Sequence, residues 1–246
     1  MNLKIRGLLR SFAPRKDEWG ERHCEPSKGA KQSRNKVSAN TMSLAFILFF
    51  IIIITSNTFA TPKKIIITRH ADRLLPNEVC LSLQGLERAA ALAYFFSGTP
   101  HYNTPPITHI FAAYSDHQPQ PYVRCKQTCQ PLANHLKLPI NTHFDQYHVA
   151  EVTKEILTNP KYDNATVLMC WEHKHIAPLI IAFGGEAPGF WPDNIFDQVY
   201  MLTFEGNSKP KFQQFLQELI FGDRTNFKDE PHPLPQVPVP CPNISS

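Results

Sequence analysis

From residue 61 onward the chain alternates short apolar runs with longer segments of helical period. The first run, Lys63-Lys64-Ile65-Ile66-Ile67-Thr68-Arg69-His70, is short and β-branched, which predicts a buried strand over 64–69. Further strands are predicted over 107–114, 139–144, 165–172 and 197–204. Helices are predicted over 82–97, 122–137, 147–158, 174–184 and 208–220. Ser82 suits the N-cap of the first helix, Leu83, Leu86, Ala90, Ala93 and Tyr94 recur along it at helical spacing, and Gly98 with Pro100 ends it. This alternation predicts an α/β fold: a three-layer sandwich whose mostly parallel central sheet is covered by helices on both faces. Right-handed crossovers would bring the ends of the strands at 64–69 and 165–172 to the same sheet edge.

The flanks read differently. Residues 1–41 form a polar, basic leader with ten Lys/Arg against four Asp/Glu, a net of +6. Leu44–Ile54 is an unbroken apolar run of eleven residues, too short for a bilayer-spanning helix of about 20 residues. Residues 42–60 therefore read as a signal peptide, with Thr58-Phe59-Ala60 as the small-residue cleavage site and Met42 as a possible second start. Cleavage near Ala60 predicts a secreted or periplasmic domain; a membrane partner enters only if the apolar segment stays uncleaved. The domain proper is placed at 61–225. A tail follows over 226–246, and six of the twelve residues from Pro231 to Pro242 are proline, which excludes regular helix or central strand there.

Charge and cysteine content refine this picture. With the leader set aside, residues 61–246 hold fifteen basic and seventeen acidic side chains, a net of −2, so the overall +4 gives no reason to expect a nucleic-acid partner. An exported domain can hold disulfides. Cys80, Cys125, Cys129, Cys170 and Cys241 remain once Cys24 is removed with the leader, an odd number that leaves at least one unpaired within the chain. No CxxC pair occurs, so a structural zinc site is not expected.

The candidate chemistry lies at the strand ends. Arg69-His70 closes the first strand, and Glu172-His173 follows the apolar run Thr166–Trp171. In open α/β sheets ligands collect at the carboxyl ends of the strands. An arginine offers a planar fork of donors for phosphate oxygens, and a neutral imidazole can attack phosphorus. Arg124 falls in the first turn of the second predicted helix, where backbone N–H groups also favour anions. A phosphomonoester dianion repels nucleophiles, so its hydrolysis needs one nucleophile within a cage of fixed cations. His70 is the candidate nucleophile, with Arg69, Arg124 and His173 as the cage. No cofactor or metal is expected, and the partner is a small-molecule phosphomonoester.

These residues resemble those of the histidine phosphatase superfamily, in the branch similar to phosphoglycerate mutases. Ile67-Thr68-Arg69-His70-Ala71 is similar to the family signature, with alanine where glycine is usual. Leu81-Ser82-Leu83-Gln84-Gly85-Leu86-Glu87-Arg88-Ala89 resembles "L-T-x-x-G-x-x-Q-A", and Pro121–Thr128 resembles "P-L-x-R-A-x-Q-T". Trp171-Glu172-His173 takes the place of the second histidine, usually "S-H-G". The matches run in the family's order from about residue 64 to 184. The resemblance implies a phosphoglycerate mutase-like fold, transient phosphorylation of His70, and a phosphate pocket completed by Arg69, Arg124 and His173.

The acid that protonates the leaving group is the weak point. Asp145 is the first candidate, with Glu151, Asp116 and Glu172 as alternatives. On a strand, Glu172 and His173 would face opposite ways, which would take Glu172 out of the pocket. Trp191-Pro192-Asp193 and Phe196-Asp197 read as a packed turn before the last strand, and Asp72-Arg73 as a loop ion pair. The reading is an exported, metal-independent phosphatase. The alternatives are a phosphomutase and a catalytically silent phosphate-binding protein on the same fold.

Overall fold

The computed structural model describes residues 60–75, 78–97, 105–117, 121–186, 188–206, 208–230 and 237–241. All belong to the second of two units, Ser56–Ser246. The basic leader, the apolar segment up to Phe59, Cys24, and tail residues 231–236 and 242–246 lie outside the described residues. Among the described residues no helix is long and apolar enough to cross a membrane.

Six strands form one sheet: β1 (Lys64–Arg69), β2 (His109–Ala112), β3 (Ile140–Asn141), β4 (Thr166–Trp171), β5 (Gln198–Thr203) and β6 (Lys211–Leu216). Their order is β3-β2-β4-β1-β5-β6. The first four are mutually parallel, β5 runs antiparallel to β1, and β6 antiparallel to β5. Every residue of β1 and of β4 is buried, so both faces of the sheet centre are covered. Four α-helices provide the cover: α1 (Leu83–Ser97), α2 (Arg124–Leu136), α3 (Val149–Thr158) and α4 (His173–Ala182). Helix α1 packs on α2 and α3 on α4; α2 touches β2, β3 and β4, while α4 touches β1. The expected three-layer α/β architecture is therefore present.

Three expectations need correction. The segment predicted as a helix over 208–220 is strand β6. Pairing with the free edge of β5 prevails over a helix there, and Phe212 packs on Tyr200 at 5.2 Å between ring centroids. In α1 the apolar stripe Leu83, Leu86, Ala90, Tyr94 faces out, and of the predicted set only Ala93 is buried. The inner face carries Gly85, Arg88, Ala89, Leu92 and Phe95, because Arg88 is held inside by Asp72 and Asp223, each at 2.6 Å. Asp72 therefore pairs with Arg88, not with its neighbour Arg73.

Cysteine use is also resolved. Cys80 and Cys241 form a disulfide, and Cys125, Cys129 and Cys170 are free and buried. Tail residues 237–241 are thereby fastened to the segment preceding α1, where Val237 O also accepts a bond from Leu83 N at 3.2 Å.

Candidate active site

Strands β1 and β4 are adjacent and parallel, with Arg69 opposite Trp171. His70 and the β4–α4 junction therefore emerge at one edge, as right-handed crossovers require. The loop after β1 is fixed on the α2 side: Ala71 N donates to Thr128 Oγ1 at 2.9 Å, and Thr128 Oγ1 donates to Arg124 O at 2.8 Å. It is fixed on the α1 side as well, where Ser82 N donates to Asp72 O at 3.1 Å and Ser82 Oγ accepts from Gly85 N at 3.2 Å as the N-cap. Gly85 is required there, since a Cβ would meet Asp72 O at 2.2 Å.

His70 is buried, and its Nδ1 lies 2.7 Å from Ala71 O. A carbonyl only accepts, so Nδ1 must carry the proton, and in the neutral ring the lone pair is left on Nε2. Burial, then the charges of Arg124 and Arg69, push His70 well below the ordinary histidine range. The ring thus stays neutral at physiological pH, as a nucleophile requires.

Two aromatic rings link His70 to the two arginines. Phe196 lies 5.8 Å from the His70 ring and 4.1 Å beneath the Arg69 guanidinium. Tyr122 lies 6.3 Å from the His70 ring and 5.0 Å from the Arg124 guanidinium. Arg69 Nη1 donates to the carbonyls of Pro192, Asp193 and Ile195 at 3.2, 2.8 and 2.8 Å, which shapes the turn before β5 around it. Burial lowers Arg69 to about 10, still fully charged at neutral pH. Arg124 is the first residue of α2, and its Nη1 donates to Glu78 O. Among the described residues, three buried guanidinium nitrogens have no protein partner: Arg69 Nε, Arg69 Nη2 and Arg124 Nε. Buried donors of this kind are rare unless a ligand or ion meets them. Arg73, read from sequence as half of a loop ion pair, adds a third guanidinium charge that acts on His70.

His173 joins this set through the same turn. Its Nε2 is 2.5 Å from Asp193 Oδ1, and its Nδ1 is 2.8 Å from Glu172 Oε1, close but off the hydrogen-bond direction. Glu172 does not point away as the strand alternation implied. It sits past the end of β4 as the N-cap of α4, accepting from Lys174 N at 2.9 Å and facing the His175 ring at 2.8 Å. Burial pushes its carboxyl up, but the His173 and His175 rings outweigh that and hold it at about 2. A carboxyl held there is ionised at neutral pH and carries no proton to give a leaving group.

The other acid candidates are engaged locally or exposed. Asp145 Oδ1 accepts from Tyr147 N at 2.8 Å and faces His148 Nδ1 at 2.7 Å, closing a local turn. Asp116 is exposed beside His117, and Glu151 is exposed in the first turn of α3. Besides Glu172, the carboxylate that reaches the set is Asp193, read from sequence only as part of a packed turn. An acid placed after Pro192 in the turn before the last strand was the available signal. Among the described residues no His, Cys, Asp and Glu cluster suits a metal ion. A cavity of about 360 Å3 on the β2–β3 edge, lined by His109, Asn141, His143, Lys161 and Tyr162 among others, shares no residue with this set.

No protein-family model matches this chain, and no curated protein matches it in sequence. Among solved structures it is similar to the protein histidine phosphatase SixA complexed with tungstate, at 16% identity over 63% of this chain and 97% of that one, TM-score 0.43. It is similar to a mycobacterial glucosyl-3-phosphoglycerate phosphatase at 13% identity, over 63% and 97% of the two chains, TM-score 0.41. It is also similar to phosphoglycerate mutase from Plasmodium falciparum at 14% identity, over 67% and 98%, TM-score 0.44.

Proposed function

We propose that this protein is an exported phosphatase that hydrolyses phosphomonoesters without a metal, through a phosphohistidine on His70. The observation that carries the reading is the pairing of a neutral, buried His70 with the three unpartnered guanidinium nitrogens of Arg69 and Arg124. These donors suit the equatorial oxygens of a transferring phosphoryl group. His70 Nε2 attacks phosphorus, the ester oxygen departs, and Arg69, Arg124 and His173 balance the charge. Water then attacks the phosphohistidine, releasing inorganic phosphate and restoring the ring. Export rests on the apolar segment before Ala60.

One observation favours a second reading, a silent phosphate-binding protein. Asp145 is engaged in its own turn and Glu172 is held at about 2, so neither is a ready proton donor. p-Nitrophenyl phosphate separates the two readings, because its leaving group needs little protonation. The full chain in EDTA should release p-nitrophenol, and His70→Ala should lower kcat at least about a thousandfold while keeping its circular dichroism spectrum. Phosphate binding without turnover of several phosphoesters would establish the silent protein instead. Full activity of His70→Ala would remove His70 as the nucleophile.

A further inference from the structure

His173 is the member of the proposed pocket whose two ring nitrogens both face acids. Nδ1 lies 2.8 Å from Glu172 and Nε2 lies 2.5 Å from Asp193. An entering phosphate can take the hydrogen-bonded ring nitrogen, Nε2, only by replacing Asp193. Glu172 is fixed: its side chain is 14% exposed, and it also caps α4 and holds His175. Asp193 is its opposite. Its side chain is 68% exposed, and the only hydrogen bond made by its carboxylate among the described residues is the one to His173. Its backbone carbonyl is held by Arg69 Nη1 at 2.8 Å, so the carboxylate can turn outward while the turn itself stays in place.

We propose that the Asp193 carboxylate is an internal competitor for the anion seat at His173, displaced when a phosphate ester enters. This rests on the phosphate-pocket reading above. A monoanion that displaces Asp193 exchanges one negative charge for another at His173. A dianion brings a second charge, and the unpartnered nitrogens of Arg69 and Arg124 are there to receive it. The competitor thus subtracts a similar amount from the binding of every anion and leaves the ratio between them unaltered. The departing carboxylate moves toward solvent, so displacement does not bury an unpaired charge.

The test uses Asp193→Asn and Asp193→Ala in the full chain. Titration calorimetry with inorganic phosphate, mostly dianionic at pH 8, and with dimethyl phosphate, a monoanion, measures both affinities. Both variants should bind phosphate roughly 5–10-fold more tightly than wild type, the scale of one close charge pair at a partly exposed site. Dimethyl phosphate should gain by a similar factor, leaving the ratio between the two ligands unaltered, and the KM for p-nitrophenyl phosphate should fall in parallel. Weaker phosphate binding in both variants would mean that Asp193 holds His173 in place, and the competitor would be refuted. Equal affinity refutes it too. A hundredfold loss of kcat at unaltered phosphate affinity would make Asp193 a proton carrier instead. If wild type binds neither phosphate nor vanadate, the pocket reading itself fails, whereas binding that is merely insensitive to Asp193 removes only the competitor.

Discussion

Arg88 stands where the resembled helix motif has glutamine, and its replacement gives the sharpest stability prediction. Its guanidinium meets Asp72 Oδ2 at 2.6 Å, Asp223 Oδ1 at 2.6 Å and Gln217 Oε1 at 2.9 Å. All three charged side chains are at most 8% exposed. Removing one partner of a buried ion pair costs about 3–5 kcal/mol, because the other charge is left without compensation. Here two carboxylates lose Arg88, yet the cost should not double. Asp223 Oδ2 still accepts from Leu219 N at 2.8 Å and Ile220 N at 3.2 Å, so the stranded group is Asp72. Arg88→Gln should therefore lose about 3–5 kcal/mol out of a total of about 5–15 for a typical domain. With a urea slope near 2 kcal/mol/M, the unfolding midpoint should drop by about 1.5–2.5 M. Adding Asp72→Asn to Arg88→Gln should recover more than half of the loss, since the uncompensated charge is then gone. A single variant within about 1 kcal/mol of wild type would show that the network behaves like a surface pair, and the reason given for the reversed face of α1 would fall with it.

Three further outcomes follow from the same structure. His70 is pushed below its ordinary value in the fold, so near pH 6.5 the unfolded chain binds more protons and this group's contribution to stability is lost as pH falls; urea midpoints of wild type should decline from pH 7 to pH 5 more steeply than those of His70→Gln, and parallel curves would contradict the shift. The Cys80–Cys241 disulfide joins residues 161 apart, so Cys80→Ser should lower stability by about 2–5 kcal/mol and expose the tail to limited proteolysis, whereas an unaltered melting temperature in dithiothreitol would count against a structural staple. Gly85→Ala would force a Cβ against Asp72 O and should cost about 1–3 kcal/mol, read as a melting shift; a neutral effect would mean that the loop after β1 yields freely.

Much of the fold was legible because the buried strands declare themselves. Lys64–Arg69 and Thr166–Trp171 were placed within a residue, since a β-branched or apolar run between polar breaks has few other uses at that length. The failures share one cause. Lys211–Leu216 has a pattern that suits either period, and only the presence of an unpaired β5 edge decides it. The inner face of α1 is fixed by Asp72 and by Asp223, which lies 135 residues beyond Arg88. Local spacing carries no trace of a partner that distant, so Leu83, Leu86 and Tyr94 were read as part of the helix's apolar stripe. The Cys80–Cys241 pairing was hidden for the same reason.

The site divides along a similar line. The placement of Arg69, His70, Arg124 and His173 was legible because each sits at a strand end or a helix start, where topology alone determines which edge it occupies. What spacing could not disclose is which of their donors the protein already uses. Arg69 has one nitrogen on three carbonyls and two unpartnered, Arg124 has one on Glu78 O and Nε unpartnered, and His173 faces a carboxylate on either side. A list of conserved-type residues would count these side chains as equivalent cations. Their hydrogen bonds make them unequal: the two arginines keep unpartnered donors, while His173 Nε2 is engaged by Asp193, the competitor proposed above. An anion therefore meets the guanidiniums before it meets the imidazole. The Asp193 variants should accordingly change how tightly a ligand is held far more than how fast it arrives, a distinction that stopped-flow association and dissociation rates with vanadate would read directly.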